Sequence, residues 1–78
     1  MEDEIKLIVV NILGVDANIF NVNMSIENTQ AWDSLKQVNL IIALEEEFKI
    51  SFSESEMLSM TNYKTILKTV TNLVSSKI

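Results

Sequence analysis

Apolar residues recur with a helical period in several stretches of the chain. In residues 2–13 they fall at i, i+3, i+4, i+7 and i+8, one face of a helix, and Gly14 stands where a left-handed cap would end it. From Tyr63 the same kind of period runs to about Ser76, with Thr61 or Asn62 as the N-cap. The expected inward side chains are Ile5, Ile8, Val9, Ile12 and Leu13 in the first helix and Tyr63, Ile66, Leu67, Val70, Leu73 and Val74 in the last.

A third long helix is predicted from Ser34 to Phe48, with a broader apolar surface. Such breadth is typical of burial against more than one neighbour. Residues 49–53 alternate apolar and polar, which indicates an extended connection, and Glu54 to Met60 predicts a short helix. The main inward stripe is expected to be Leu35, Val38, Ile41, Ile42 and Phe48, widened by Leu40, Ala43 and Leu44, with Met57, Leu58 and Met60 inward in the short helix.

Residues 15–33 lack a sustained helical period. They are rich in Asn, Ser and Thr, whose side chains compete for backbone hydrogen bonds, and long loops of this kind are often functional. Five apolar side chains are expected to attach the loop to the core, namely Ile19, Phe20, Val22, Met24 and Ile26. The pattern predicts an all-α fold, a single domain over residues 1–78 built as a four-helix bundle of three longer helices and one short helix.

The amino-acid composition excludes several kinds of chemistry. The chain has 78 residues, with no cysteine, no histidine, no proline and one glycine. A hydrophobic core must therefore stabilise a small domain without disulfides. Nucleophilic catalysis usually needs a base such as histidine beside the nucleophile, and zinc sites favour His and Cys. We therefore predict that the protein has no catalytic residues, no metal site and no enzymatic activity.

The charge is acidic and uneven. The net charge is −5, and residues 1–56 hold all eleven acidic side chains against three lysines. An acidic surface repels nucleic acid and anionic membranes and favours proteins with basic patches. The acidic start of the chain is unlike a secretory signal, and no apolar run is long enough to span a membrane. The chain is expected to be cytoplasmic and monomeric, with no membrane insertion.

Candidate chemistry concentrates around Ser34. Ser34 and Gln37 fit a capping box, or Asp33 is the cap, and in either case the serine has a purely structural explanation. The alternative is that the Ser34 hydroxyl accepts a phosphoryl-type group, because a helix N-terminus stabilises an anion. Trp32 is a core aromatic, a loop anchor or a contact for a ligand or partner. The run of acidic residues 45–47 is either solvated or docks a basic partner.

At these residues the sequence resembles the acyl carrier proteins and related carrier domains. The resemblance rests on Asp33-Ser34-Leu35, on the helix from Val38 to Phe48 that ends Leu-Glu-Glu-Glu-Phe, and on Asn23-x-Ser25-Ile26 upstream. It covers nearly the whole chain. It implies a four-helix bundle of acyl-carrier-protein type whose interior shelters short acyl chains.

The resemblance also implies a cofactor and partners. A separate phosphopantetheinyl transferase would use Mg²⁺ and coenzyme A to attach 4′-phosphopantetheine to Ser34, flanked by Asp33 and Leu35 in the recognition motif. The arm's thiol would carry acyl groups as thioesters. The second helix would dock partners, namely an acyl-loading ligase or acyltransferase and downstream synthase enzymes. The docking residues implied are Lys36, Asn39, Glu45 and Glu46.

The sequence departs from the family in ways that leave the pathway open. Lys36 and Asn39 occupy positions that are frequently acidic in fatty-acid carriers, and Trp32 stands where a small residue is common. The start of the second helix is therefore less negative than in those carriers, and a secondary or cell-surface pathway is favoured at least as well as fatty-acid synthesis. We hypothesise that Lys36 and Trp32 discriminate among partners. The alternatives are an aminoacyl, D-alanyl or peptidyl carrier, a helical interaction module in which Ser34 is only a cap, and a degenerate carrier fold.

Overall fold

The computed structural model describes residues 1–76 and shows four α-helices joined by one long and two short connections. They are α1 (Glu2–Leu13), α2 (Ser34–Phe48), α3 (Glu54–Ser59) and α4 (Tyr63–Ser76), and a 3₁₀ helix at Ala17–Ile19 lies in the long first loop. In the described part of the chain, the β-type pairing consists of an isolated antiparallel bridge between Ser25 and Asn62. The predicted bundle of three longer helices and one short helix is therefore confirmed.

Helices α1 and α4 bury the faces that their periodicity predicts. Ile5, Val9 and Leu13 are buried, and Val10 joins them. Gly14 ends α1 at φ 68°, ψ 30°, a left-handed conformation that glycine adopts without steric penalty. In α4 the buried side chains are Tyr63, Ile66 and Val70, with Leu67, Leu73 and Val74 packed partly buried against the core.

The cap of α4 is Asn62, because its Oδ1 accepts a hydrogen bond from the Thr65 N–H at 2.8 Å. An amide side chain at this place satisfies an N–H group that the helix itself leaves unpaired. Of the two caps that the sequence allows, the structure thus selects Asn62.

Helix α2 buries only part of the apolar surface that its pattern predicted to face inward, with Ile41 and Phe48 packed partly buried against the core. Leu40 and Leu44 are fully buried, whereas Leu35, Val38 and Ile42 are 68%, 53% and 48% exposed. The prediction of an inward stripe was wrong for those three residues. Apolar side chains surround most of this helix, so its contacts with α1 and α4 decide which strip is buried, and periodicity alone does not.

The loop over residues 15–33 is attached to the start of α4. The Ile26 N–H donates to the Thr61 carbonyl at 2.9 Å, and the Tyr63 N–H donates to the Met24 carbonyl at 3.0 Å. Met24 is buried, but Ile19 and Val22 are exposed, so the prediction that they anchor the loop was wrong. Tight turns held by local hydrogen bonds, such as the Asn18 N–H donating to the Asp16 carboxylate, orient this segment, while Phe20 and Ile26 pack partly buried against the core as predicted.

Aromatic contacts join the same loop to α1 and α4. Phe20 meets Tyr63 edge to face, with ring centroids 4.8 Å apart, and the Lys6 ammonium lies 4.9 Å from the Phe20 ring centroid. The Tyr63 hydroxyl donates to the Glu2 carboxylate at 3.5 Å. Burial and the negative charge of Glu2 raise the pKa of the Tyr63 hydroxyl above its ordinary value, so it stays protonated and donates.

Helix α3 has six residues, which is about one and a half turns. Ser53 and Glu56 form a reciprocal capping box at its start. Met60 is buried and Met57 is partly buried, as expected, but Leu58 is 74% exposed, so its predicted inward position was wrong. A helix of six residues presents only one narrow edge to the core, and Leu58 lies on the other side.

Candidate functional site

The start of α2 is capped by Asp33 and not by Ser34. Asp33 is extended, at φ −107°, ψ −175°, and its Oδ1 accepts a hydrogen bond from the Lys36 N–H at 2.8 Å. The Gln37 N–H donates to the Asp33 carbonyl at 2.9 Å, which closes the first turn. Ser34 is therefore the first helical residue, and the capping box between Ser34 and Gln37 does not form.

Ser34 presents an exposed hydroxyl at the N-terminus of a helix. Within residues 1–76, the hydrogen bonds of this first turn use Asp33, Lys36 and Gln37, and none engages the Ser34 hydroxyl. The first N–H groups of a helix and its dipole stabilise an anion at this place. The residues present thus fit a phosphodiester on Ser34, because the hydroxyl is accessible, has no structural task and lies where negative charge is favoured.

Gln37 holds the end of the long loop against the α3–α4 connection. Its Oε1 accepts a hydrogen bond from Trp32 Nε1 at 2.7 Å, and its Nε2 donates to the Met60 carbonyl at 2.7 Å. Trp32 itself is only 1% exposed and lies in the core. The residue directly before Asp33 is therefore fixed in place, and the geometry of the Ser34 turn follows from it.

This arrangement changes two sequence-based interpretations. The core interpretation of Trp32 is confirmed, and its burial removes the hypothesis that its side chain selects partners by direct contact. The role of Gln37 was missed, since it was considered only for a cap. The sequence did contain a hint: Trp32 stands five residues before Gln37, which lies in the first turns of the predicted helix. A buried indole N–H needs an acceptor, and the Gln37 amide is close enough to supply it.

A solvent-facing apolar stripe follows Ser34 along α2. It consists of Leu35, Val38 and Ile42, spaced i, i+3, i+7, and hereafter we call it the outer stripe. Contiguous exposed apolar patches mark interaction sites, and the outer stripe is the candidate for one on this helix. Sequence reasoning placed these residues inside, and the signal that could have revealed them is an apolar pattern on α2 too wide for one buried face.

The predicted docking residues are separated by the structure. Asn39 and Glu46 are exposed beside the outer stripe, and Lys36 is half-buried. Glu45 has an internal partner, because its Oε2 accepts a hydrogen bond from the Phe52 N–H at 2.9 Å and so holds the connection between α2 and α3. That bond explains why one carboxylate is tolerated near the C-terminus of α2, where the helix dipole opposes negative charge.

Over residues 1–76, no three His, Cys, Asp or Glu side chains lie close enough together to hold a metal ion. In that part of the chain, no helix has both the length and the apolar character needed to cross a membrane.

Comparison with known proteins identifies related chains. A family model described as the phosphopantetheine attachment site matches residues 3–73. The acyl carrier protein of Chlamydia felis is 49% identical over 57 residues, which make up 72% of this chain and 72% of the relative. The acyl carrier protein of Campylobacter jejuni is 32% identical over 71 residues, which make up 91% of this chain and 92% of the relative.

A solved structure agrees with these sequence matches. The solution NMR structure of the holo acyl carrier protein from Geobacter metallireducens matches with a TM-score of 0.84 and 28% identity. The match covers 97% of this chain and 87% of that one, so the two folds correspond over nearly their full lengths.

Proposed function

Because the chain belongs to the acyl carrier protein family, we propose that it holds acyl groups as thioesters on a 4′-phosphopantetheine arm attached to Ser34 and presents them to partner enzymes. The family's prosthetic group is 4′-phosphopantetheine, and it supplies the thiol that this chain, without cysteine, lacks. The chain itself acts as a carrier with no catalytic activity. A cytoplasmic location and a monomeric state are part of the same proposal.

The main observation in support is that the Ser34 hydroxyl is exposed and makes no hydrogen bond in the described part of the chain. Asp33 performs the capping that a serine in this position could otherwise perform, at 2.8 Å from the Lys36 nitrogen. The serine is thus exposed, held on a fixed turn, and placed where free N–H groups favour a phosphodiester. The chain has no histidine, and we assign the base that takes the Ser34 proton to the transferase.

We propose that partner enzymes dock on the outer face of α2. The outer stripe begins one residue after Ser34, and the exposed Asn39 and Glu46 flank it with polar and acidic groups. Partners of this family include a phosphopantetheinyl transferase, a loading ligase or acyltransferase, and downstream synthase enzymes. An apolar strip with acidic neighbours fits enzymes that present an apolar patch rimmed by basic side chains. We include Lys36 as a candidate specificity residue, because it lies in the first turn beside the serine.

The carrier role alone does not specify the biosynthetic pathway. The same arrangement serves fatty-acid, polyketide or another acyl-transfer biosynthesis. The lysine in the first turn of α2 makes that end of the helix less acidic than in fatty-acid carriers that have an acid there. We therefore keep a dedicated secondary or cell-surface pathway beside fatty-acid synthesis.

Loading with coenzyme A tests the carrier role directly. The apo-protein is incubated with coenzyme A, Mg²⁺ and a broad-specificity phosphopantetheinyl transferase, and its intact mass is then measured. We expect a single phosphopantetheine addition, which peptide fragmentation assigns to Ser34. Absence of any addition with several transferases that load other carriers would favour a helical interaction module, and an addition at another residue would refute the Ser34 assignment.

Val38→Ser tests the docking surface. Val38 is 53% exposed in the centre of the outer stripe, so the variant should fold normally. We expect kcat/KM for loading to fall roughly tenfold, which corresponds to about 1.4 kcal/mol of lost apolar contact, and the fall should come through a raised KM. Leu7→Ser, at a similarly exposed apolar position on α1, is the matched control. Equal rates for both variants and the wild type would show that the transferase does not use this face.

A further inference from the structure

A cleft of about 520 Å³ opens beside the loop between α1 and α2. Its volume lies in the range of small-molecule sites. Val15, Met24 and Ala31 line it and also pack against the hydrophobic core, so they provide an apolar floor. This cleft is separate from the outer stripe of α2, which shares none of its lining residues.

The remaining lining is rich in carboxamides and carries no charge. Among the described residues, the side-chain amides of Asn23 and Gln30 make no hydrogen bond, and both residues are exposed. Their donors and acceptors are therefore available to a ligand. A lining of this kind suits a neutral molecule that combines amide groups with hydrocarbon, and it contains no charged side chain to pair with an ion.

The wall of the cleft is held in shape before any ligand binds. Asn28 accepts a hydrogen bond from the Ser25 N–H at 2.9 Å through Oδ1, and it donates from Nδ2 to the Asn23 carbonyl at 2.9 Å. The Thr29 hydroxyl donates to the same Oδ1 at 2.8 Å. A preformed wall reduces the ordering that a ligand would otherwise have to impose on the loop.

The cleft also ends close to the proposed attachment point. Ala31 lies three residues before Ser34, so their Cα atoms are at most about 11 Å apart. A pantetheine arm measures roughly 20 Å from phosphate to thiol by standard bond lengths. Beyond its phosphate the arm is uncharged, with two amide groups and a branched hydrocarbon segment, which is the chemistry that the cleft can accept.

We propose that this cleft binds the pantetheine arm of the holo-protein, so that the arm folds back along the loop between α1 and α2. The proposal rests on attachment at Ser34 and adds a resting place for the arm. Val15, Met24 and Ala31 contact its hydrocarbon, and the carboxamides of Asn23 and Gln30 bond to its amides. The arm leaves the cleft when a partner takes up its thiol.

A spin label on the arm tests this placement. Because the chain has no cysteine, the arm thiol is the only thiol of the holo-protein and accepts a thiol-reactive nitroxide selectively. In ¹⁵N–¹H NMR spectra, we expect the amide signals of Val15, Asn21 and Met24 to lose intensity, while those of Ile42 and Glu46 keep it. Asn23→Ala combined with Gln30→Ala should restore the lost intensity, whereas Asn11→Ala, an exposed asparagine on α1, should not.

The outcomes separate this inference from the carrier role. The intact mass of each NMR sample shows whether the arm is attached to Ser34, and no attachment would overturn both proposals. Attachment with no preferential loss at the cleft, or with loss concentrated on α2 and α3, overturns the cleft proposal alone. Unchanged broadening in the double variant also overturns it, because the carboxamides would then play no part.

Discussion

Ser34→Ala is expected to abolish phosphopantetheine loading completely and to change the free energy of unfolding by less than about 0.5 kcal/mol. Loading disappears because alanine has no oxygen to form the phosphodiester. Stability is retained because the serine is exposed and its hydroxyl has no bond in the described structure, while Asp33 caps the helix. Intact mass after incubation with coenzyme A and transferase measures the first effect, and urea unfolding measures the second.

Asp33→Ala, at the adjacent position, is expected to lower stability while leaving Ser34 able to be loaded. Loss of an N-cap carboxylate lowers stability by about 0.5–2 kcal/mol, so this variant should unfold at lower urea. Ser34 should still accept the arm, at a rate that reports how far the transferase depends on the acidic neighbour. If Ser34→Ala proved as destabilising as Asp33→Ala, the serine would have a structural task and the interaction-module alternative would gain support.

Trp32→Ala is expected to lower the free energy of unfolding by about 3–5 kcal/mol, which is the range for large buried aromatic side chains. Trp32 is 1% exposed, packs in the main core and donates from its indole nitrogen to Gln37 at 2.7 Å. In domains below about 80 residues the hydrophobic core rarely supplies more than about 3–5 kcal/mol, so this variant should be partly or wholly unfolded near 37 °C. Circular dichroism during heating measures the change.

Trp32→Phe separates the contribution of packing from that of the hydrogen bond. Phenylalanine keeps much of the apolar volume but leaves the Gln37 acceptor without its donor, so we expect a loss of about 1–3 kcal/mol. A melting temperature for Trp32→Ala close to that of the wild type would contradict the buried position of the indole. Equal losses in the two variants would instead assign the whole effect to the hydrogen bond.

The helices could be predicted from the sequence because their signals are local. The face of α1, the stop at Gly14 and the regular stripe of α4 depend on residues within a few positions of one another. The inward face of α2 could not be predicted in the same way, because it is apolar nearly all round and its burial depends on how α1 and α4 pack. Ile19, Val22 and Leu58 show the same limit, since short segments give no period to read.

The candidate site was only partly visible in the sequence. Asp33-Ser34-Leu35 and the helix after it indicated the place, while the choice of Asp33 as the cap needed the backbone geometry. The bond from Gln37 to the Met60 carbonyl joins residues 23 positions apart, and nothing local to either residue indicates it. Glu45 likewise has its partner at Phe52, beyond the end of its own helix.

The bridge between the long loop and the start of α4 has a consequence for the order of folding. Ile26 bonds to Thr61 and Met24 to Tyr63, so these contacts close a segment of more than thirty residues, whereas each helix is held by contacts between near neighbours. We expect the helices to form first and the loop to join them late. We also expect the loop to open locally at a lower free energy than the helices, and Ser34 stands at its boundary with helix α2. Local opening of residues 15–31 would therefore leave Ser34 on a folded helix, with Trp32 still holding the turn before it.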